Sequence, residues 1–195
     1  MADIKKLAHE VYPYVVEMRR DFHRHPEASF EEFRTTKRIA EELDKMGIPY
    51  RLFEPTGLVG EIKGGKPGKC IALRADIDAL TTTEKTGLPY ASENEGYMHA
   101  CGHDTHTAML LGAAKILSSV KDELCGTVKL IFQPAEELAS GAKCIVEQGV
   151  LDGVDAAFGQ HIFSRRPAGS LSLSEGTLHP AADYFKLTVT GKASH

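Results

Sequence analysis

Apolar positions recur at helical spacing through Ile4, Leu7, Val11, Val15 and Met18, and a second such pattern runs from Glu31 to Met46 and stops at Gly47. Two helices are therefore expected to open the fold, the second ended by a glycine, as helix C-termini commonly are. Short strand-like runs follow at 51–54 (RLFE), 58–62 (LVGEI) and 70–76 (CIALRAD). Pro55, Thr56 and Gly57 separate the first two, and the GGKPGK turn at 64–69 predicts a hairpin-like connection between the second and third. After a polar loop over 81–97, a helix is expected from His103 to Val120, then a strand at 126–134 (GTVKLIFQP) apolar enough to be buried on both faces. A further helix is expected over 140–148 and a strand over 155–162 (DAAFGQHI). Helices alternating with short apolar strands predict a layered α/β domain around a mixed, largely parallel sheet. Alternating faces at 169–174 and 184–190 predict two more strands. Since the sequence stops at GKASH without a closing element, the expectation is one domain over 1–180 and, over 181–195, the opening strand of a second that continues.

Composition narrows the class without changing this picture. The chain has 195 residues, 42% hydrophobic and 26% charged, enough to bury one substantial core. A net charge of -4, with no basic run interleaved with aromatics, argues against nucleic acid as a partner. The N-terminus carries charges every few residues, unlike a signal peptide, and no apolar run approaches membrane-spanning length, so the cytoplasm is the expected compartment. The four cysteines, Cys70, Cys101, Cys125 and Cys144, form no C-x-x-C pair and are expected as reduced thiols.

Cys101 stands apart because His103, Asp104 and His106 follow it at the junction of a loop and a helix. Ligands collect in such places, outside the carboxyl ends of sheet strands, and a thiolate and an imidazole two residues apart suit zinc or its first-row neighbours. Glu136 and Glu137 follow the buried strand directly, and adjacent carboxylates there are costly to desolvate without a cation or proton. Metal hydrolases divide the work of such a pair: one carboxylate holds metal, the other moves a proton. Two exposed glutamates opening a helix would look the same in sequence. His161, at the end of the FGQH strand, taken alone reads equally as a core or edge residue. What joins Cys101, His103, Glu137 and His161 is that each lies at a strand end or at a helix start that follows one, points that converge in a parallel sheet. Asp76 and Asp78 end another strand, and Asp78 is placed to fix the tautomer of a metal-bound histidine. Pro26, Glu27 and Ser29 read as the capped start of the second helix, with His23 and His25 structural or peripheral.

In order and interval, HRHPE, RADIDAL, MHACGHDTHTAMLLGAA, GTVKLIFQPAEE, FGQH and GKASH resemble the M20 metallopeptidase family, in its aminoacylase and hippurate hydrolase branch, which includes the auxin-conjugate amidohydrolases. The resemblance implies a zinc-exopeptidase-like catalytic domain holding two divalent metal ions, most simply Zn2+ with Mn2+, Co2+ or Ni2+ as alternatives. It also implies an α+β lid domain that mediates homodimerisation, and a small N-acylated amino acid or peptide as substrate. Carried over by position, Cys101, His103, Glu137 and His161 become metal ligands, Glu136 the general base and acid, and Asp78 the carboxylate behind a ligand histidine. His195 becomes the lid histidine that polarises the scissile carbonyl. The chain departs from the wider family at Asp76, where a histidine ligand is usual, and at Thr81, where a proline is usual. The family also continues past GKASH to a further metal-binding histidine. The competing readings are a catalytically inactive metal-binding fragment and, less well supported, a cysteine nucleophile built on Cys101 and His103.

Overall fold

The computed structural model describes residues 2–173, 175–177 and 185–192. They fall in two units, Met1–Ile162 and Phe163–His195. In the first, helices α1 (Ile4–Arg24) and α2 (Phe33–Lys45) precede strands β1 (Tyr50–Leu52), β2 (Leu58–Lys63) and β3 (Lys66–Asp76). Helix α3 (His103–Ser119), β4 (Cys125–Gln133), α4 (Gly141–Glu147) and β5 (Ala156–Gly159) follow. In the second unit the described residues form no helix or strand, including those at 169–173 and 185–190 where strands were expected. No helix among the described residues is long and apolar enough to cross a membrane.

The sheet order is β1-β2-β4-β3-β5. β2 is antiparallel to β1 and β4, whereas β3 runs parallel to both β4 and β5. The expected hairpin at 64–69 is therefore not formed, since β4 lies between β2 and β3. The connection instead steps across the start of β4: Gly64 N–H donates to Gly126 O at 2.8 Å, and a Cβ on Gly64 would sit 2.5 Å from Leu124 O. Glycine is needed there because backbone passes over backbone.

Alternation along β4 explains the two layers. Val128, Leu130 and Phe132 face a core with Met18, Phe22, Ile39, Leu43, Leu58 and Leu111, under α1, α2 and α3. Ile131 points the other way, to Phe53, Ala72, Ile145 and Val150 under α4. Helix α1 runs past the periodic stretch that ended at Met18 because Phe22 and His23 are also buried. It approaches α3 closely at Gly112, where a Cβ would meet Val15 Cγ2 at 2.5 Å. Helix α2 starts later than the Ser29 cap implied. Glu27 takes the capping role, its two carboxylate oxygens accepting from the Arg34 and Thr35 amides at 2.9 and 2.7 Å, which frees Ser29 for another partner.

Phe132 is fully buried where β4 meets both β2 and the helical layer. Phe132→Ala is expected to lower unfolding free energy by about 3–5 kcal/mol in urea titration, with an unchanged slope. A loss under about 1 kcal/mol would contradict this packing.

Candidate metal centre

The parallel register of β3 on β4 pairs Asp76 with Gln133, so both strands deliver their carboxyl ends to one edge of the sheet. Beyond β3, Asp78 is fully buried; beyond β4, the chain turns sharply through Pro134 to Gly141. Ala135 and Ala139 take left-handed φ values of 47° and 51°, a conformation that costs a residue with a Cβ about 1–3 kcal/mol and persists only where its surroundings enforce it. Gly141 closes the turn, its amide donating to Ala135 O at 3.1 Å, and a Cβ on it would fall 1.7 Å from Pro134 O. The turn is thus tight enough to hold Glu136 and Glu137 in fixed directions at the strand edge.

The N-terminus of α3 enters the same space. Gly102, with φ 88°, lets Cys101 and His103 turn inward, and a Cβ there would strike Ile162 Cδ1 at 2.4 Å. The imidazole of His103 is fully buried and central. Its Nδ1 donates to the Asp78 carbonyl oxygen at 3.0 Å and lies 3.3 Å from Asp78 Oδ1. That contact leaves Nε2 facing the site, where it has no hydrogen-bond partner although buried. Around it stand Asp76 Oδ2 at 3.6 Å and Glu136 Oε2 and Glu137 Oε1, each at 3.8 Å. Asp78 is held in turn by the hydroxyl of Ser29 at 2.6 Å and the amide of Glu137 at 3.0 Å. On the other side, Cys101 Sγ lies 3.3 Å from His161 Nε2.

Among the described residues, three donor groups are compact enough to hold a cation: Cys101 with His103 and His161, His103 with Glu136 and Glu137, and Asp76 with His103 and His106. Hydrogen bonding separates them. His106 Nδ1 is 2.6 Å from Asp76 Oδ1, and its Nε2 accepts from the Ile162 amide at 2.9 Å. Asp76 also receives Arg74 Nη1 at 2.8 Å. Those two residues are already satisfied. The first two groups share the unpartnered His103 Nε2, and Glu137 Oε1 is likewise buried without a partner. Unpartnered ligand atoms of this kind, buried together, fit a metal ion once His103 is deprotonated. Asp76 therefore acts here as the anchor of His106 and Arg74.

Charge balance points the same way. Burial pushes Asp76 up, but the hydrogen bond from His106 and the charges of His103 and Arg74 bring it down to about 2. Burial depresses His103, yet the contact with Asp78, the nearby Cys101 and the charges of Asp76 and Asp78 raise it to about 11. Burial and the neighbouring Glu136 and Asp78 push Glu137 above the usual carboxylate range, against the opposing charge of His103. Without metal, the proton on His103 is the local substitute for a cation.

A second polar cluster braces this architecture from behind. Asp104 Oδ2 accepts from Arg19 Nε at 2.8 Å and lies 2.8 Å from His23 Nδ1, while His23 Nε2 faces Glu84 Oε1 at 3.3 Å. Glu84 Oε2 accepts from the Ser92 amide, so the loop at 81–97 is tied through His23 to the first turn of α3. The sequence offered His23 as structural, which this contact explains, but gave no cue to its partner 81 residues away. His195 lies outside the described residues.

A mixed sulfur, nitrogen and carboxylate donor set at the carboxyl edge of an α/β sheet fits a transition-metal site. Residues 72–190 match peptidase family M20/M25/M40, and the chain belongs to that family. It is 47% identical over 186 residues to N-acetylcysteine deacetylase of Bacillus subtilis, covering 93% of this chain and 48% of that protein. It is 42% identical to N-acyl-L-amino acid amidohydrolase of Geobacillus stearothermophilus, covering 99% of this chain and 53% of that protein. The fold superposes on a dinuclear metal binding peptidase of the M20 family from Bacillus subtilis with a TM-score of 0.82 and 48% identity, over 88% of this chain and 48% of that one. The chain thus spans about half the length of the curated relatives it matches.

Because a ligating imidazole must be neutral, metal entry at pH 8 has to displace the proton that His103 holds with a pKa of about 11. Calorimetric titration with zinc in buffers of different ionisation enthalpy is expected to show release of about one proton or more per site. No proton release would remove His103 from the ligand set.

Proposed function

We propose that this chain carries the metal-binding part of an amidohydrolase that cleaves the amide bond of N-acylated amino acids or related small peptides. The observation that carries it is the pair of buried, unpartnered atoms, His103 Nε2 and Glu137 Oε1, beside a more exposed carboxylate, Glu136, in a chain of this family. The names of the deacetylase and amidohydrolase relatives support the substrate class. Cys101, His103, Glu137 and His161 are the proposed ligands of two divalent ions, as the dinuclear neighbour suggests, with zinc the best match to a thiolate and manganese, cobalt or nickel as alternatives. Such ions would supply Lewis acidity and lower the pKa of bound water.

The remaining work falls to side chains. Glu137 is less exposed than Glu136, 21% against 38%, and its amide is tied to Asp78. Glu137 is thereby held as a ligand, while Glu136 keeps access to solvent and substrate. Glu136 accepts a proton from the attacking water and returns it to the leaving nitrogen, so that the amine departs neutral. Asp78 keeps the Nδ1 proton of His103 in place and so keeps Nε2 turned to the site. In the same proposal residues 1–180 belong to the catalytic domain and 181–195 open a lid that pairs two copies, with His195 polarising the scissile carbonyl and the cytoplasm as the compartment.

Glu136→Gln in the metal-loaded full chain is expected to lower kcat on N-acetyl and N-benzoyl amino acids by about 10²–10⁴-fold with metal content unchanged. Activity within about threefold of the unmodified protein would overturn the assignment of Glu136.

A further inference from the structure

Glu32 is fully buried one residue before α2, and its carboxylate is held by a hydroxyl and a backbone amide rather than by a cation. Oε2 accepts from the Thr56 hydroxyl, and Oε1 accepts from the Ala135 amide at 2.8 Å, across 103 residues of sequence. Burying a carboxylate without a paired cation is costly even where neutral donors hydrogen-bond it. Burial does push its pKa above the usual carboxylate range, against the two hydrogen bonds. The residue it grips is the one with the left-handed φ of 47° at the exit from β4.

Two residues on, the Glu137 amide is gripped by a second buried carboxylate, Asp78, at 3.0 Å. The amides on either side of Glu136 are therefore both clamped, one from the α2 side and one from the β3 side. Among the described residues Glu136 makes no hydrogen bond through its carboxylate that would direct it, and His103 Nε2 lies 3.8 Å away. Its direction is set by the backbone that carries it. The Thr56 end of the clamp is also fixed, because Thr56 is buried and the following Gly57 amide donates to Thr36 Oγ1 of α2 at 2.9 Å.

We infer that Glu32 is a positioning residue for the proposed amide hydrolysis, holding the Ala135 amide so that the strained turn keeps Glu136 aimed into the site. This inference rests on the reading of Glu136 as the proton carrier, but the clamp on Ala135 stands or falls independently of it. A Gln at position 32 retains an oxygen for the Ala135 amide and can give its NH2 to the Thr56 hydroxyl oxygen. Leu fills the volume without an acceptor, and Asp stops one methylene short.

The experiment compares Glu32→Gln, Glu32→Leu and Glu32→Asp in the metal-loaded full chain. Glu32→Leu and Glu32→Asp are expected to lose about 10–100-fold in kcat, with KM and metal content nearly unchanged, and Glu32→Gln to stay within about threefold of the unmodified protein. Amide hydrogen exchange supplies a readout without catalysis: the Ala135 amide should exchange at least about tenfold faster in the Leu and Asp variants while Leu130 in β4 keeps its protection. Unchanged exchange at Ala135 in both variants would overturn the clamp. Faster exchange with unchanged kcat, or a Gln variant as slow as Leu, would overturn the positioning role. If the unmodified protein hydrolysed no N-acyl amino acid, the proposed function would fail while the exchange result still decided the clamp. Should Glu32→Leu not fold, the Asp variant carries the same comparison.

Discussion

The site depends on one constraint: β3 and β4 run parallel in a register that sets Asp76 beside Gln133. That register brings the carboxylates after β3 and the turn after β4 to the same edge, and α3 then drives His103 between them. A one-residue slip would send Asp76 to the opposite face and leave His103 without its charge partners. Four carboxylates, Asp76, Asp78, Glu136 and Glu137, surround that single imidazole within 4 Å. Acidic groups so placed are tolerable only with positive charge among them. Arg74 neutralises Asp76, which also takes the His106 hydrogen bond, and Ser29 and the Glu137 amide satisfy Asp78 Oδ2, leaving its Oδ1 3.3 Å from His103 Nδ1 without a hydrogen bond. What is left unsatisfied is where a cation belongs.

The two histidines of α3 show how hydrogen bonding assigns roles that composition cannot. His103 and His106 lie one turn apart, both buried, yet both nitrogens of His106 are engaged and only one of His103's is. His106 supports the edge of the sheet and the segment leading to His161, whereas His103 presents a free nitrogen. Behind them Asp104 binds Arg19 and His23, so the first turn of α3 is tied to α1 as well as to the sheet. The candidate ligands on α3 are thus mounted on elements fixed by the main core.

Much of this was legible in the sequence because its signals are local. Helical spacing located α1 and α2, the apolar run located β4, and Cys101, His103, Glu136 and Glu137, singled out at element junctions, are brought together by the fold. The signals that failed were those requiring a partner from far along the chain. The GGKPGK turn looked like a hairpin because nothing local reveals that β4 inserts between β2 and β3. Ser29 looked like a helix cap, but Asp78 claims its hydroxyl and Glu27 caps instead. Glu32 was indistinguishable from a surface glutamate opening a helix, since its burial comes from Thr56 and from Ala135.

The central claim is that the space between α3 and the exits of β3 and β4 holds metal. Crystals grown with zinc and measured on both sides of the zinc absorption edge test it directly. The expected result is anomalous density within bonding distance of His103 Nε2 and Glu137, with Cys101 or His161 completing the shell. Zinc bound only at other cysteines such as Cys70 or Cys125, with His103 and Glu137 left free, would contradict it.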